Sequence, residues 1–282
     1  MLPLVLAYAH AYGFFKDKFN INLPGFGFVL RFLKTDFVLE VMGHKMFFNH
    51  NIASSYGRHI SGQWNEPETH LFLGNLILEL PDPVNFIDIG ANIGEMVIDV
   101  AKYAPHLSKI LAFEPIPDCC YAIKKSLELN DFHNYQIFQN LVGEKNQLVK
   151  FEISKSVAGS SVYSKNSQES DSQIEMVTLD SKAVLVEGSV IILIDVEGYE
   201  PNVIRGGHNL IKKIKPLIIF EYNLVSKQHF NIKDISLILG DEYKIYRLRA
   251  DGKLDGDLEH AWNCVAIPTK SSFDLILNKY II

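Results

Sequence analysis

The sequence has little cysteine: its 282 residues include only three, Cys119, Cys120 and Cys264. An odd count with two adjacent residues does not suit a disulfide framework, and the spacing fits no zinc motif. We therefore expect a reducing compartment, the cytoplasm, and no bound metal.

The chain also lacks a basic excess and a long hydrophobic run. Its 27 Lys and Arg against 33 Asp and Glu give a net charge of −6, which argues against a general nucleic-acid-binding surface. The apolar residues 1–15 have no basic residue ahead of them and are too few to span a bilayer, which takes about 20 residues. They predict a helix packed on the body of the protein, with a peripheral membrane-surface segment as the alternative and no integral span.

Residues 84–95 carry a cofactor-type turn, Val-Asn-Phe-Ile-Asp-Ile-Gly-Ala-Asn-Ile-Gly-Glu. An apolar strand runs into a turn framed by Gly90 and Gly94, and a helical pattern follows, as in parallel sheets that bind nucleotide-like cofactors. The dinucleotide fingerprint Gly-x-Gly-x-x-Gly is absent, because Asp88 stands at its first glycine. A carboxylate there would repel a pyrophosphate but suits the amino group and ribose of S-adenosylmethionine (SAM). The motif therefore favours SAM over NAD.

The next two strands add polar groups at the same edge of the predicted sheet. Glu114 directly follows the strand over residues 109–113, at the interval expected for the second strand of a βαβ unit. An acid at this position can accept hydrogen bonds from both ribose hydroxyls. A strand over residues 135–141 places Asn140 on the ligand side, to reach the adenine edge or to satisfy loop backbone. The predicted cofactor contacts are Asp88, Gly90, Ala91, Asn92, Gly94, Glu114, Pro115 and Asn140.

Two later strands also end in acids. The predicted strand over residues 190–196 contains Asp195 near its end, and Glu197 follows it. The two acids share one face of an extended chain. The strand over residues 215–223 carries Glu221. Acids at the carboxyl ends of parallel strands point into the same crevice as Asp88. Asp195 or Glu197 is the predicted catalytic base for an acceptor hydroxyl, with Glu221 or a nearby histidine in reserve. Asp195 could instead position the cofactor amino group or a helix end.

Capping patterns predict two helices around this core. Asn65 is expected to cap a helix over residues 64–80, and Asp118 one that ends at Leu129. Glu66 either complements the dipole of the first helix or belongs to an active-site lid. Four histidines have irregular spacing, so scattered surface or lining positions are favoured over a metal site: His44, His50, His59 and His70.

The whole chain predicts an α/β fold with a mostly parallel Rossmann-like sheet and an antiparallel terminal hairpin over residues 243–248 and 263–267. Short strands over residues 26–33 and 37–42 predict a small β-rich N-terminal extension, so we divide the chain at residues 1–63 and 64–282. Residues 148–153 are expected to form an antiparallel or edge strand. Residues 154–173, with eight serines, are expected to form a mobile loop or substrate lid.

Several motifs occur together in an order that resembles a known family. Phe86-Ile-Asp-Ile-Gly-Ala-Asn-Ile-Gly-Glu and Ala112-Phe-Glu-Pro look like the first two motifs of class I SAM-dependent methyltransferases. Val177-Thr-Leu-Asp followed by Ile194-Asp-Val-Glu-Gly-Tyr-Glu-Pro-Asn-Val-Ile-Arg-Gly-Gly is similar to the FkbM-type methyltransferases. The resemblance covers roughly residues 66–268. It implies a seven-stranded methyltransferase sheet, SAM over Gly90 to Gly94, Glu114 on the ribose, and O-methylation, often of sugars or secondary metabolites.

The predicted function is SAM-dependent O-methylation of a hydroxyl on a sugar, a glycan or a small metabolite. One alternative is a SAM-fold interaction module without catalysis, against which the intact acids and glycines argue. The other is an NAD-dependent oxidoreductase, against which the missing glycine spacing argues. The sequence does not identify the acceptor.

Overall fold

The computed structural model describes residues 34–151, 173–183 and 188–282, with five isolated positions nearer the N-terminus, Pro3, Ala7, Tyr8, Ala11 and Phe15. Apart from those positions, the predicted N-terminal helix and the strand over residues 26–33 lie outside the described residues. The serine-rich segment lies outside them up to residue 172. Within the described ranges, no helix is long and apolar enough to cross a membrane.

Strands and helices alternate along most of the described chain. The strands are β1 Phe37–Val41, β2 His44–Phe48, β3 Val84–Ile89, β4 Leu107–Phe113, β5 Tyr135–Phe138, β6 Leu141–Val142, β7 Gln147–Lys150, β8 Gln173–Val177, β9 Ser189–Ile194, β10 Leu217–Glu221, β11 Tyr243–Leu248, β12 Leu254–Asp255 and β13 Asn263–Pro268. The helices are α1 Pro67–Glu79, α2 Glu95–Ala101, α3 Pro117–Leu129, α4 Leu179–Lys182, α5 Glu200–Gly206, α6 His208–Ile214, α7 Ile232–Leu239 and α8 Ser272–Leu277.

The central sheet has the strand order β12-β11-β13-β10-β9-β3-β4-β5. The five strands from β10 to β5 are parallel, and β13, β11 and β12 continue the sheet with antiparallel pairings. This confirms the predicted Rossmann-like sheet with an antiparallel terminal hairpin. The two-residue strand β12 was not predicted and adds an eighth strand at the edge.

The middle strands are buried on both faces because helices cover both sides of the sheet. Every residue of β3 and of β10 is buried. Alternate side chains enter two separate cores: Phe86 and Ile219 pack into one, and Ile87 and Ile218 into the other. Continuous apolar runs are typical of such parallel strands, which is why the sequence located them.

The predicted N-terminal extension contains a β-hairpin. β1 and β2 pair antiparallel around a tight turn at Met42 and Gly43, whose φ angles of 48° and 84° suit a two-residue hairpin loop. Phe48 and Tyr56 share a core with Ile98 of α2. The division of the chain into two domains at residue 63 stays a prediction.

A separate three-stranded sheet corrects the prediction of one strand over residues 135–141. β5 ends at Phe138, and the chain leaves the central sheet through Asn140 before β6 pairs in parallel with β8. The Asn140 amide donates 2.9 Å to the Glu175 carboxylate on β8, which anchors this change of sheet. β7, the predicted edge strand, pairs antiparallel with β8.

Both predicted helix caps are wrong. Glu66, not Asn65, is the N-cap residue of α1, and its side chain makes no capping bond. The Asn65 amide instead donates 2.7 Å to Glu95. Asp118 lies in the first turn of α3, and its carboxylate accepts hydrogen bonds from the amides of Asn49 and Asn51. Tertiary partners outcompete the local backbone in both cases.

The turn after β3 lies directly against the end of β9. The backbone NH of Asp195 donates 2.9 Å to the carbonyl oxygen of Ile89. Gly90 has a φ of +89°, and a Cβ there would lie 1.9 Å from the carbonyl oxygen of Asp195. Only glycine permits this approach, because any side chain would push the two strand ends apart.

We expect Gly90→Ala to destabilise the protein much more than Gly43→Ala. Gly43 has a similar φ of +84° but has nothing within 4 Å of its Cβ position. It therefore carries only the cost of a left-handed alanine, about 1–2 kcal/mol. Gly90→Ala adds a clash with backbone and should cost at least about 3 kcal/mol. Urea unfolding of the two variants measures the difference, and equal losses would contradict the close-approach argument.

Candidate active site

A cleft of about 540 Å³ opens at the carboxyl ends of β3 and β9. This size is in the range of small-molecule sites. The start of α1 forms one wall, because Glu66, Pro67 and Glu68 line the cleft. The other walls come from the turn after β3, the end of β9, the start of β13, and the segment that carries Ser55, Arg58 and His59.

Asp88 lies in the wall of this cleft and is 3 % exposed. Burial, with a further contribution from the negative charge of Glu95, raises the pKa of Asp88 to about 7. The backbone around it is fixed, since the NH groups of Gly90 and Ala91 both donate to the carbonyl oxygen of Phe113. A cationic ligand group beside Asp88 would favour its ionised form.

Glu114 stands behind the turn and holds it in shape. One carboxylate oxygen accepts the NH of Asn92 at 2.9 Å, and the other accepts the NH of Ile116 at 2.8 Å. Burial outweighs these bonds and raises the pKa of Glu114 to about 8. Each oxygen keeps a second lone pair, so the two backbone bonds leave acceptor capacity for a ligand.

The predicted cofactor residues divide into two groups. Asp88, Gly90, Ala91 and Asn92 line the cleft together with Asp195. The others lie outside its lining: Gly94, where a Cβ would lie 2.7 Å from Ile123, Glu114, Pro115 and Asn140. Their roles stay predictions.

The three predicted catalytic acids come together. One carboxylate oxygen from each of Asp195, Glu197 and Glu221 lies within 4.8 Å of the others. The predicted reason is wrong, however. β9 ends at Ile194, and Glu197 has a φ of +54°, so the chain is not extended there. The two acids converge because the loop turns back.

A fourth acid, Glu200, stabilises that loop. One of its carboxylate oxygens accepts the NH groups of Val196 and Gly198, each at 3.2 Å. The ring of His229 packs on Gly198, where a Cβ would lie 2.5 Å from Cδ2 of that ring. The sequence motif Asp-Val-Glu-Gly-Tyr-Glu contained Glu200, but its role depends on the turn.

Glu66 joins α1 to β13 across the cleft. Its carboxylate accepts hydrogen bonds from the Trp262 indole NH at 3.2 Å and from the Asn263 amide at 2.7 Å. Burial raises the pKa of Glu66. The residue therefore belongs to the cleft wall and positions the half-exposed indole of Trp262. No sequence pattern indicates the contact between Glu66 and Trp262, which lie 196 positions apart.

A histidine and carboxylate network starts at His59 and Glu95 in the cleft wall and continues into the protein behind it. His70 lies between Glu95 and Asp99 of α2, with Nε2 and Nδ1 each 2.9 Å from a carboxylate oxygen. His59 contacts Glu95 at 2.7 Å, and His44 lies 3.5 Å from Asp99. Scattered surface or lining positions are thus wrong for His44 and His70, whereas His59 lines the cleft. The i, i+4 spacing of the two acids was the available signal.

The network favours a protonated His70, because each ring nitrogen then donates to a carboxylate. Burial alone would lower the pKa of His70, but the bonds to Asp99 and Glu95 outweigh it and raise the pKa to about 9. Burial would likewise raise the pKa of Glu95, but the bonds from His59 and His70 lower it to about 2. The pKa of Asp99 is also lowered, against the effect of burial, by its bonds with His44, His70 and Lys102.

We expect His70→Asn to destabilise the protein most at acidic pH. The folded-state pKa of His70 lies above its ordinary value of 6.5, so its stabilisation is complete below pH 6.5 and is lost as the pH rises towards 9. The difference in unfolding free energy from wild type should shrink over that window, by at most about 3 kcal/mol at 1.36 kcal/mol per pKa unit. Urea unfolding from pH 6 to 9 measures it. His50→Asn, which removes a half-exposed pair with Asp36, is the control and should change little. A constant difference across the window would contradict a protonated His70.

Solved structures with a related fold were found at low identity. An FkbM methyltransferase from Methylobacillus flagellatus KT has 16% identity and a TM-score of 0.49, and the match covers 77% of this chain and 53% of that one. The chain thus spans about half the length of this relative. M. jannaschii TYW2 in complex with AdoMet has 12% identity and a TM-score of 0.41, with 82% and 84% covered. A precorrin-6y C5,15-methyltransferase from Geobacter metallireducens GS-15 has 13% identity and a TM-score of 0.41, and the match covers 72% of this chain and 90% of that one.

No curated protein matches the sequence. A family model does. The model of the methyltransferase FkbM domain matches residues 88–247, which is more than half of the chain and extends from Asp88 through Glu114 and the acid cluster to β11. The chain therefore belongs to the FkbM methyltransferase domain family.

Proposed function

We propose that the protein transfers a methyl group from SAM to a hydroxyl group of a sugar, a glycan or a small metabolite. The observation that carries this proposal is the composition of the cleft. Asp88 and the glycine turn form one wall, and Asp195, with its two acidic partners, lies at the end of the neighbouring strand. A cofactor site and a proton-accepting group therefore adjoin each other.

The residues of the cleft suit SAM better than a dinucleotide. The buried carboxyl of Asp88 gains a favourable partner from an amino group and a repulsive one from a pyrophosphate. Glu95 adds to this argument. It occupies the first turn of α2, where a phosphate would bind, and its low pKa keeps it negatively charged. This charge pattern argues against NAD.

Bound SAM would supply an electrophilic methyl group on its sulfonium. The chain itself has to bind SAM, orient the acceptor towards that methyl group, and exclude water. The turn from Gly90 to Asn92 would hold the cofactor, and Glu114 would keep that turn in place and offer its free lone pairs to the ribose. Asn140 bonds to Glu175, so its proposed contact with the adenine would need that amide to rotate. Gly94 and Pro115 would act through the backbone shape of the turn.

Asp195 is the proposed proton acceptor for the attacking hydroxyl. It is exposed to the cleft, whereas Glu197 is half-buried and Glu221 is buried behind it. Asp195 lies inside the cleft, and partial loss of hydration there, together with the repulsion of Glu221, Glu66, Glu197 and Glu200, raises its pKa. A raised pKa brings a carboxylate closer to the operating pH and makes it a better general base. The hydroxyl oxygen would form the new bond to the methyl carbon while its proton passes to this carboxylate.

The mouth of the cleft supports a hydroxyl-rich acceptor. Trp262 is 51 % exposed there, and Glu66 fixes its indole NH. An indole offers a flat apolar face, and a sugar ring has apolar C–H faces between its hydroxyls. Carboxylates nearby accept hydrogen bonds from those hydroxyls. This combination favours a sugar or glycan over an apolar acceptor.

Calorimetry with SAM, its demethylated product and NAD tests the cofactor. We expect SAM and its product to bind and NAD not to bind. Asp88→Asn should lower the affinity for SAM at least tenfold, which corresponds to about 1.4 kcal/mol, because it removes the charge that faces the amino group. Asp241→Asn is the matched control, since this exposed residue precedes β11 at the opposite edge of the sheet. No binding of SAM by the wild type would overturn the proposal.

Transfer of a labelled methyl group from SAM into fractions of a cell extract would identify the acceptor. With that acceptor, Asp195→Asn should lower the turnover rate by roughly 10²–10⁴-fold, which is the usual contribution of a general base. SAM affinity measured by calorimetry should stay within about threefold of wild type, since asparagine keeps the shape of the side chain. A loss of SAM affinity would instead assign Asp195 to the cofactor.

A further inference from the structure

Three carboxylates meet where two neighbouring parallel strands end. Asp195 follows β9, Glu221 ends β10, and Glu197 turns back towards them, so that one oxygen from each lies within 4.8 Å of the others. The charges with the largest effect on Asp195 are those of four acids, Glu221, Glu66, Glu197 and Glu200. Such a concentration of like charge is unfavourable unless a cation or protons compensate it.

Glu221 supplies a second and independent observation. The residue is 6 % exposed, and its Oε2 has no hydrogen-bond partner among the residues that the structure describes. Leaving a buried carboxylate oxygen unpaired is unfavourable, because the oxygen has lost its hydrogen bonds with water and gained none in the protein. The same carboxylate belongs to the cluster, because one of its two oxygens lies within 4.8 Å of an oxygen of each of the other two acids. A ligand that accepts electron pairs from oxygen would satisfy it.

We propose that Asp195, Glu197 and Glu221 bind one divalent cation of the Mg²⁺ or Mn²⁺ type at the floor of the cleft. Hard divalent cations prefer carboxylate oxygens, and no sulfur or nitrogen ligand belongs to this cluster in the described chain. Metal–oxygen distances of about 2.1 Å place ligand oxygens about 3.0 to 4.2 Å apart in an octahedron. The observed limit of 4.8 Å needs only a small inward movement of the side chains.

The position of the cation gives it a role in methyl transfer, and this role rests on the proposed function. Asp195 is open to the cleft, so a bound cation would leave coordination positions facing the acceptor. A hydroxyl bound to a cation loses its proton more easily, as metal-bound water does. The three acids would then act as ligands that orient and acidify the acceptor, and the proton would leave to solvent or to a ligand carboxylate. The sequence alone led us to expect no metal.

Electron paramagnetic resonance of Mn²⁺ tests the site on the full chain after treatment with a chelator, without SAM and without acceptor. Binding removes the signal of free Mn²⁺, so the titration gives both stoichiometry and affinity. We expect one Mn²⁺ per chain with a dissociation constant below about 1 mM, and displacement by Mg²⁺. The absence of saturable binding would overturn the proposal.

Variants locate the bound ion. Glu221→Gln and Asp195→Asn should each weaken Mn²⁺ at least tenfold, and Glu197→Gln, at a half-buried position, gives a third arm that tolerates substitution. Glu66→Gln removes a charge from the same cleft outside the cluster and should change affinity by less than about threefold. Glu242→Gln, on an exposed side chain at the opposite edge of the sheet, should change nothing. Equal weakening by Glu66→Gln and Glu221→Gln would overturn the site, because it would indicate a diffuse negative potential.

Two outcomes separate this inference from the proposed function. If SAM binding and methyl transfer persist unchanged in excess chelator, the proposed cation site is wrong and the proposed methyltransferase function stands. Stoichiometric Mn²⁺ binding that Glu221→Gln abolishes, in a chain that does not bind SAM, would support the cation site and overturn the proposed function. Thermal unfolding of each variant without metal shows whether it is folded.

Discussion

The close approach of two strand ends, at Gly90 and Asp195, is the constraint on which the rest of the site depends. Because Gly90 has no side chain, the turn after β3 lies against the backbone of Asp195, and the Asp195 NH bonds to Ile89. This contact aligns the cofactor-type turn with the acids at the next strand end. The cleft, its walls and the acid cluster all lie around this one point of backbone contact.

The site concentrates negative charge in a partly buried place, which disfavours folding and suits function. Burial raises the pKa of Asp88, Glu114 and Glu221, so part of this charge is neutralised by protons when no ligand is present. The network that starts at His59 and Glu95 in the cleft wall has the opposite character, because His70 compensates Glu95. The fold therefore places a network of paired charges next to a cluster of acids, and such perturbed groups are typical of functional sites.

The sequence predicted the sheet well because the buried parallel strands are continuous apolar runs. It also located the acids, since a charged residue directly after such a run must lie at the edge of the sheet. It failed where a side chain had two possible partners. Asn65 and Asp118 have the residue types of helix caps but bond to distant groups, and Asn140 bonds to Glu175 where the chain changes sheets. A local sequence pattern does not show which of the two partners the side chain bonds to in the folded protein.

By itself, the sequence determined the α/β class, the mostly parallel sheet with its antiparallel terminal hairpin, and the residues Asp88, Gly90 and Asp195 at the carboxyl ends of its parallel strands. These follow from periodicity and from chemistry that is local along the chain. The tertiary structure decided that Glu221 closes a three-carboxylate cluster, that Glu66 holds Trp262 at the mouth, and that His70 is buried between two acids. Such contacts join residues from distant segments, and their geometry depends on backbone turns that no spacing along the chain specifies.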